Sequence, residues 1–228
     1  MTSPPRILLR GGVLMLTIGI CGASGSGKTT LARALAASID GKSALIKQDC
    51  YYRDHSYLPF EERTKINYDE PDAFEHDALR EDIRALKLGK AVTRKGYDYS
   101  MHRRADSTEL IEPCDVLIVE GIHAFYDPRT RDMMDFKLFV HVDPDICLLR
   151  RVQRDILERG RDISGIARQY LSTVKPMYER YIRTYIEFAD VIVAGGGFNT
   201  KIVDILALYI NSGQLPATEV PPTGPPTV

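Results

Sequence analysis

Residues 22–29 read Gly22-Ala23-Ser24-Gly25-Ser26-Gly27-Lys28-Thr29, the full G-x-x-x-x-G-K-[ST] pattern of a phosphate-binding loop. The flanks supply the context the pattern needs. The apolar run Val13–Ile20 enters it as a strand, and the helix-forming stretch from Thr29 to Ala37 leaves it. Glycines let successive N–H groups curl round a phosphate, and the following helix start adds partial positive charge. Gly22, Ser24, Gly25, Ser26, Gly27, Lys28, Thr29 and Thr30 are therefore expected to bind a nucleoside triphosphate. Lys28 would reach its β- and γ-phosphates, and the Thr29 hydroxyl would ligate Mg²⁺. Such a loop commits the chain to an α/β fold with a parallel sheet and helices on both faces.

The remaining sequence fits that commitment. Ser43–Lys47, Val116–Val119, Leu138–Val142 and Asp190–Val193 read as further strands, short and apolar on both faces. Helices are expected over 74–88, 144–158, 166–188 and 200–210, with Pro176 kinking or delaying the third. Tyr170, Val174, Tyr178, Tyr181 and Tyr185 fall on one stripe of that helix, read as core or subunit contact. Residues 12–212 form one expected domain, with disordered ends at 1–11 and 213–228. A net charge of −1 gives no reason to expect nucleic acid or an anionic membrane as partner. Four widely spaced cysteines show neither metal-ligand nor disulfide spacing and read as reduced thiols. With no run long enough to span a bilayer, the expected location is the cytoplasm.

Two segments interrupt the alternation, 49–72 and 92–111. The first follows a strand, where ligands sit in open α/β sheets, and the second reads as a small hairpin or flap. Asp49 ends the second strand and is placed to accept a proton from an attacking hydroxyl; a loop-capping role is the alternative. Glu120 closes the strand Val116–Val119, where a carboxylate suits Mg²⁺ or its water shell. Residues 150–168 carry six arginines against three acids in a nearly neutral chain. Arg154, Arg159 and Arg161 would form a lid that neutralises transferring charge and excludes water. The plainer reading of that stretch is a solvated helix with internal ion pairs to Asp155 and Glu158. Asp162-Ile163-Ser164-Gly165 matches D-x-x-G, but a guanine-reading Asn-Lys-x-Asp is missing, so a GTPase switch is not expected.

Taken together, the phosphate loop, Gln48–Tyr52, Asn67–Phe74, Tyr97–Arg104 and Glu120–Ile122 resemble the uridine kinase family of P-loop kinases, especially its bacterial branch. The likeness runs over roughly residues 15–210 and continues through Arg150–Asp162, Gln169-Tyr170 and Ala189–Val193. It implies 5′-phosphorylation of uridine or cytidine by ATP or GTP, and a homotetramer. Asp49 matches the family's general base, with Lys28 and the lid arginines completing the catalytic set. Asp69 matches the carboxylate that grips the ribose hydroxyls, and Arg151 and Gln169 match its companions. Tyr97 and His102 match groups that hydrogen-bond the pyrimidine edge; Tyr52, Tyr68 and Tyr99 belong to the aromatic surroundings of the substrate. The sequence departs from the family's pattern in four places: Cys50, Glu70, the stretch Arg94-Lys95-Gly96, and Ala194. The related acceptors of phosphoribulokinase-like and pantothenate kinase-like enzymes, and a non-catalytic nucleotide-binding module, are the competing readings.

Overall fold

The computed structural model describes residues 15–213. The ends expected to be disordered, 1–11 and 213–228, lie outside that range except for Gly213. Strand β1 (Leu16–Gly22) runs into helix α1 (Lys28–Ala37) through the phosphate loop, and β2 (Ser43–Lys47) follows. After β2 come a 3-10 turn at Gln48–Tyr51, the short α2 (Phe60–Arg63), a second 3-10 turn at Pro71–Ala73, and α3 (His76–Lys87). Strands β3 (Val92–Asp98) and β4 (Arg103–Ile111) form the expected hairpin as a separate antiparallel sheet. The chain then continues through β5 (Val116–Glu120), α4 (Pro128–Arg131), β6 (Phe136–His141) and α5 (Pro144–Arg159). It closes with α6 (Ile163–Gln169), α7 (Lys175–Arg180), β7 (Val191–Ala194) and α8 (Thr200–Asn211).

The main sheet has five strands in the order β2-β5-β1-β6-β7, all paired in parallel. Period-two alternation sorts their side chains into two cores. Ile18 and Ile20 of β1 and Val116 and Ile118 of β5 face Leu31 and Leu35 of α1 and Leu206 and Ile210 of α8. Cys21, Leu117 and Val119 point the other way, among Leu79 and Ile83 of α3, Phe125, Ile182 and Tyr185. The sheet thus holds the carboxyl ends of β1, β2 and β5 side by side, with the phosphate loop between helices. Among the described residues, no helix is long and apolar enough to cross a membrane. All four cysteines are free.

Two helix expectations change. The helix expected from Phe74 begins at His76, because Phe74 is held in a β-bridge with Tyr52. The span 166–188 is not one regular helix. After α6, residues Tyr170–Val174 take π-helical spacing, α7 follows, and Ile182–Phe188 is 3-10. Pro176 has no N–H to give the Ser172 carbonyl, so the ladder relaxes just before it. The tyrosine stripe is core at Tyr185, and Tyr178 and Tyr181 pack against that core. Asp162 caps α6 by accepting a bond from the Gly165 N–H at 2.9 Å, which accounts for the D-x-x-G pattern structurally.

Candidate active site

The phosphate loop is shaped by what it packs against. Gly25 has φ +86°, and a Cβ there would lie 2.2 Å from the Cys147 carbonyl of α5. Gly27, at φ +93°, opens α1, and its Cβ would lie 2.6 Å from the Gly197 nitrogen. Left-handed backbone and close backbone neighbours together restrict both positions to glycine. Gly22 is also left-handed. Thr30, one residue beyond Thr29, lies beside Gly197. The Ser26 hydroxyl is buried without a hydrogen-bond partner among the described residues. Lys28 is only 8% exposed, and its Nζ donates to the Ala23 carbonyl at 2.9 Å. An ammonium this buried with a single carbonyl partner calls for an anion, which a triphosphate supplies.

Beside the loop, Glu120 is the last residue of β5 and is buried. The Thr29 hydroxyl donates to its Oε1 at 2.8 Å. Burial, reinforced by the Asp49 charge and opposed by Lys28, raises the Glu120 pKa. A buried carboxylate next to a threonine hydroxyl suits a divalent cation that keeps most of its own waters. Asp49 stands in the 3-10 turn after β2. Its Oδ2 accepts a hydrogen bond from the Tyr99 hydroxyl at 2.5 Å. The Arg159 guanidinium lies over the Tyr99 ring at 4.0 Å. Tyr99, expected as a wall of the acceptor site, therefore links the hairpin to Asp49 and to the arginine segment, while meeting Tyr97 edge-on at 5.3 Å.

The arginine segment is not a solvated helix. Arg151, Arg154, Arg159 and Arg161 all pair with Asp155, which is fully buried, at 3.7, 2.8, 3.2 and 3.3 Å. Burial alone would raise the Asp155 pKa, but Arg154, Arg151 and Arg159 outweigh it and hold the carboxyl below its ordinary value. The expected ion pair to Asp155 is real, but it forms an interior hub. From that hub Arg151 reaches the Ser24 hydroxyl and the Gln169 Oε1, both at 2.9 Å. Arg161 also donates to Gln169, at 3.0 Å.

Asp69 sits across from these arginines, buried, with its Oδ2 accepting from the Thr173 hydroxyl at 2.9 Å. The π-helical turn presents Thr173 just as Gln169 meets the arginines, so the backbone irregularity serves the site. The Asp69 carbonyl in turn accepts a bond from His123 Nε2 at 2.7 Å. That leaves His123 Nδ1 to accept from the Tyr185 hydroxyl at 2.8 Å. His123, whose N–H donates to the Gln48 Oε1 at 2.8 Å, has no recognisable signal in the sequence.

Above Asp69, Tyr52 stacks on Phe74 at 4.3 Å and meets Tyr68 edge-on at 5.4 Å. Tyr97 lies 4.7 Å from Tyr52, and His102 stacks on Tyr68 at 5.1 Å. His102 occupies the hairpin turn at φ +47°. Arg161 Nη2 lies 3.4 Å from its Nε2, and a guanidinium only donates, so the ring proton is on Nδ1. Burial and the charges of Arg161, Arg159 and Arg63 push the His102 pKa down to about 4. The ring is neutral at physiological pH.

His123 gives the site a measurable pH signature. Burial lowers its pKa from the ordinary 6.5 to about 4. The unfolded chain then takes up the proton first as pH falls. This contribution to stability is intact above pH 6.5, declines as pH falls from 6.5 to about 4, and levels off below that. The amount at stake is about 3 kcal/mol. Denaturant titrations across this window check it: His123→Gln flattens the slope, and an unchanged slope would place the titration elsewhere.

A phosphate loop at the carboxyl edge of a parallel sheet, facing a carboxylate and an arginine-bearing helix, makes the protein a P-loop kinase by architecture. The match to known proteins narrows the class. The profile of the Phosphoribulokinase / Uridine kinase family matches residues 17–200, and the chain belongs to that family. A uridine kinase from Leuconostoc citreum is 48% identical over 86% of this chain and 94% of its own length. One from Ligilactobacillus salivarius is 47% identical over 85% of this chain and 91% of its own. The solved structure of a “possible uridine kinase” from Bacillus stearothermophilus shares the fold, with TM-score 0.55, 19% identity, and coverage of 82% of this chain and 92% of that one.

Proposed function

We propose that this chain transfers the γ-phosphoryl group of ATP or GTP to the 5′-hydroxyl of uridine or cytidine. The observation that carries the reading is Arg151, which spans from Ser24 of the phosphate loop to Gln169 beside Asp69. One guanidinium thus ties the donor loop to a pocket whose floor is a buried carboxylate and whose walls are aromatic. A carboxylate there can accept from both ribose hydroxyls, and flat aromatic walls take a base. Relatives named uridine kinase support a nucleoside as acceptor.

The chemistry follows from positions. Asp49 accepts the proton of the 5′-hydroxyl as phosphorus–oxygen bonding develops. Lys28 and the lid arginines offset charge on the transferring group, and lid closure keeps water from competing as acceptor. Thr29 and Glu120 would hold Mg²⁺ or its waters, and the ion, when bound, offsets charge on the β- and γ-phosphate oxygens. The same family reading makes the enzyme a cytoplasmic homotetramer of pyrimidine salvage.

Asp69→Ala tests the ribose site. The kcat/KM ratio of uridine over 2′-deoxyuridine is expected to fall by roughly 10- to 100-fold, because the carboxylate no longer rewards the extra hydroxyl. A ratio unchanged in the variant would contradict the role given to Asp69.

A further inference from the structure

Among the described residues, no carboxylate pairs with the buried cation Arg63. It ends α2, is 7% exposed, and its Nε and Nη1 are buried without hydrogen-bond partners among the described residues. The Phe60 ring lies 5.8 Å from its guanidinium carbon. Burying a guanidinium without acceptors is expensive, and a ring face recovers only part of the loss. The contrast with Arg151 is direct: equally buried, it has Ser24, Gln169 and Asp155 around it. The better parallel is Lys28, whose missing partner is a donor phosphate.

The surroundings of Arg63 say what its partner is. Its charge is felt by Tyr68 and by His102, so it belongs to the aromatic end of the acceptor pocket. Phe60 packs 6.3 Å from the His102 ring. The Tyr68 and Tyr97 hydroxyls are also buried there, close enough to act on each other. His102 offers Nδ1–H, since its Nε2 faces Arg161. This pocket end thus gathers donors, the Arg63 guanidinium and His102 Nδ1–H, whereas the two phenols can each donate or accept. A ligand that satisfies it must be flat and must carry carbonyl oxygens on its edge.

Resting on the nucleoside reading above, we propose that Arg63 is a specificity-determining residue that reads the carbonyl edge of the acceptor base and favours uridine over cytidine. Uracil carries an oxygen at position 4, where cytosine carries an amino group. A guanidinium has five donors and no acceptor, so it pairs with the oxygen and leaves both groups unpaired against the amino group. A hydrogen bond from a charged donor at a buried edge is the kind of contact that discriminates strongly.

The test compares uridine, cytidine and pyrimidin-2-one ribonucleoside, which lacks any substituent at position 4, as acceptors for the full chain. The unaltered protein is expected to prefer uridine over the other two by roughly 10- to 100-fold in kcat/KM. Arg63→Met is expected to lower kcat/KM for uridine by that factor and to change the other two less than about 3-fold. Arg63→Lys, which keeps the charge, should retain part of the preference and guards against a folding defect in the first variant. An equal fall for all three acceptors would make Arg63 structural and overturn the proposal. So would no preference for uridine in the unaltered protein, a result that needs no variant at all. If none of the three accepts phosphate, the nucleoside reading fails and the role of Arg63 falls with it.

Discussion

Asp49→Asn leaves donor binding nearly unchanged and lowers turnover by about 10²- to 10⁴-fold. Asparagine keeps the shape of the side chain and can still accept the Tyr99 hydroxyl, now 2.5 Å from the carboxylate. It cannot take the proton of an attacking hydroxyl. The loss should appear in kcat at saturating acceptor, with the nucleotide affinity measured separately by calorimetry. Turnover equal to that of the unaltered protein would remove Asp49 from the mechanism. A loop-capping aspartate would behave differently, because its replacement would cost stability rather than rate.

Asp155→Ala carries the largest expected effect on stability. The carboxylate is fully buried and holds four guanidinium groups. Removing it leaves like charges crowded in a low-dielectric interior, a change that costs about 3–5 kcal/mol. In a chain of this size the corresponding fall in Tm is roughly 10 °C. Turnover should fall as well, since Arg154, Arg159 and Arg161 lose the group that gathers them. A solvated helix with surface ion pairs would lose no more than about 1 kcal/mol. Thermal denaturation of the variant separates these two pictures, and a Tm within a degree or two of the parent would contradict the hub.

Much of the frame was legible because parallel strands leave a strong mark. Val116–Val119 is apolar on both faces since helices cover both, and the loop motif tells which strand lies beside the nucleotide. The hairpin at 92–111 was legible from its patchy alternation around Tyr97, and the bulge between Lys95 and Tyr97 explains the patchiness. The third helix was misjudged in part because the tyrosine stripe keeps its spacing across Pro176, while the start of the 3-10 turn at Ile182 has no comparable signal.

Within the site, local spacing revealed less than contact did. Arg151 and Arg159 flank Asp155 at helical spacing, so the pairing was readable, but its burial depends on packing from other elements. His123 joins Asp69 and Tyr185, residues 54 and 62 positions away, and no pattern in one sequence announces such a bridge. Arg63 lies in a weakly periodic segment on a helix of four residues. Its missing partner becomes visible only when the surrounding atoms are in place. The Arg94 departure has a structural account: its guanidinium pairs with Asp82 and lies over the Tyr51 ring at 4.3 Å, pinning the hairpin to α3.

The most direct test of the account is ADP release from ATP·Mg²⁺, measured with single nucleosides, ribulose 5-phosphate, pantothenate and no acceptor. The account predicts release that depends on uridine or cytidine, with the matching 5′-monophosphate formed in equal amount. Release with ribulose 5-phosphate or pantothenate instead would keep the kinase core and contradict the acceptor. Absence of acceptor-dependent release from a folded, ATP-binding protein would contradict catalysis itself.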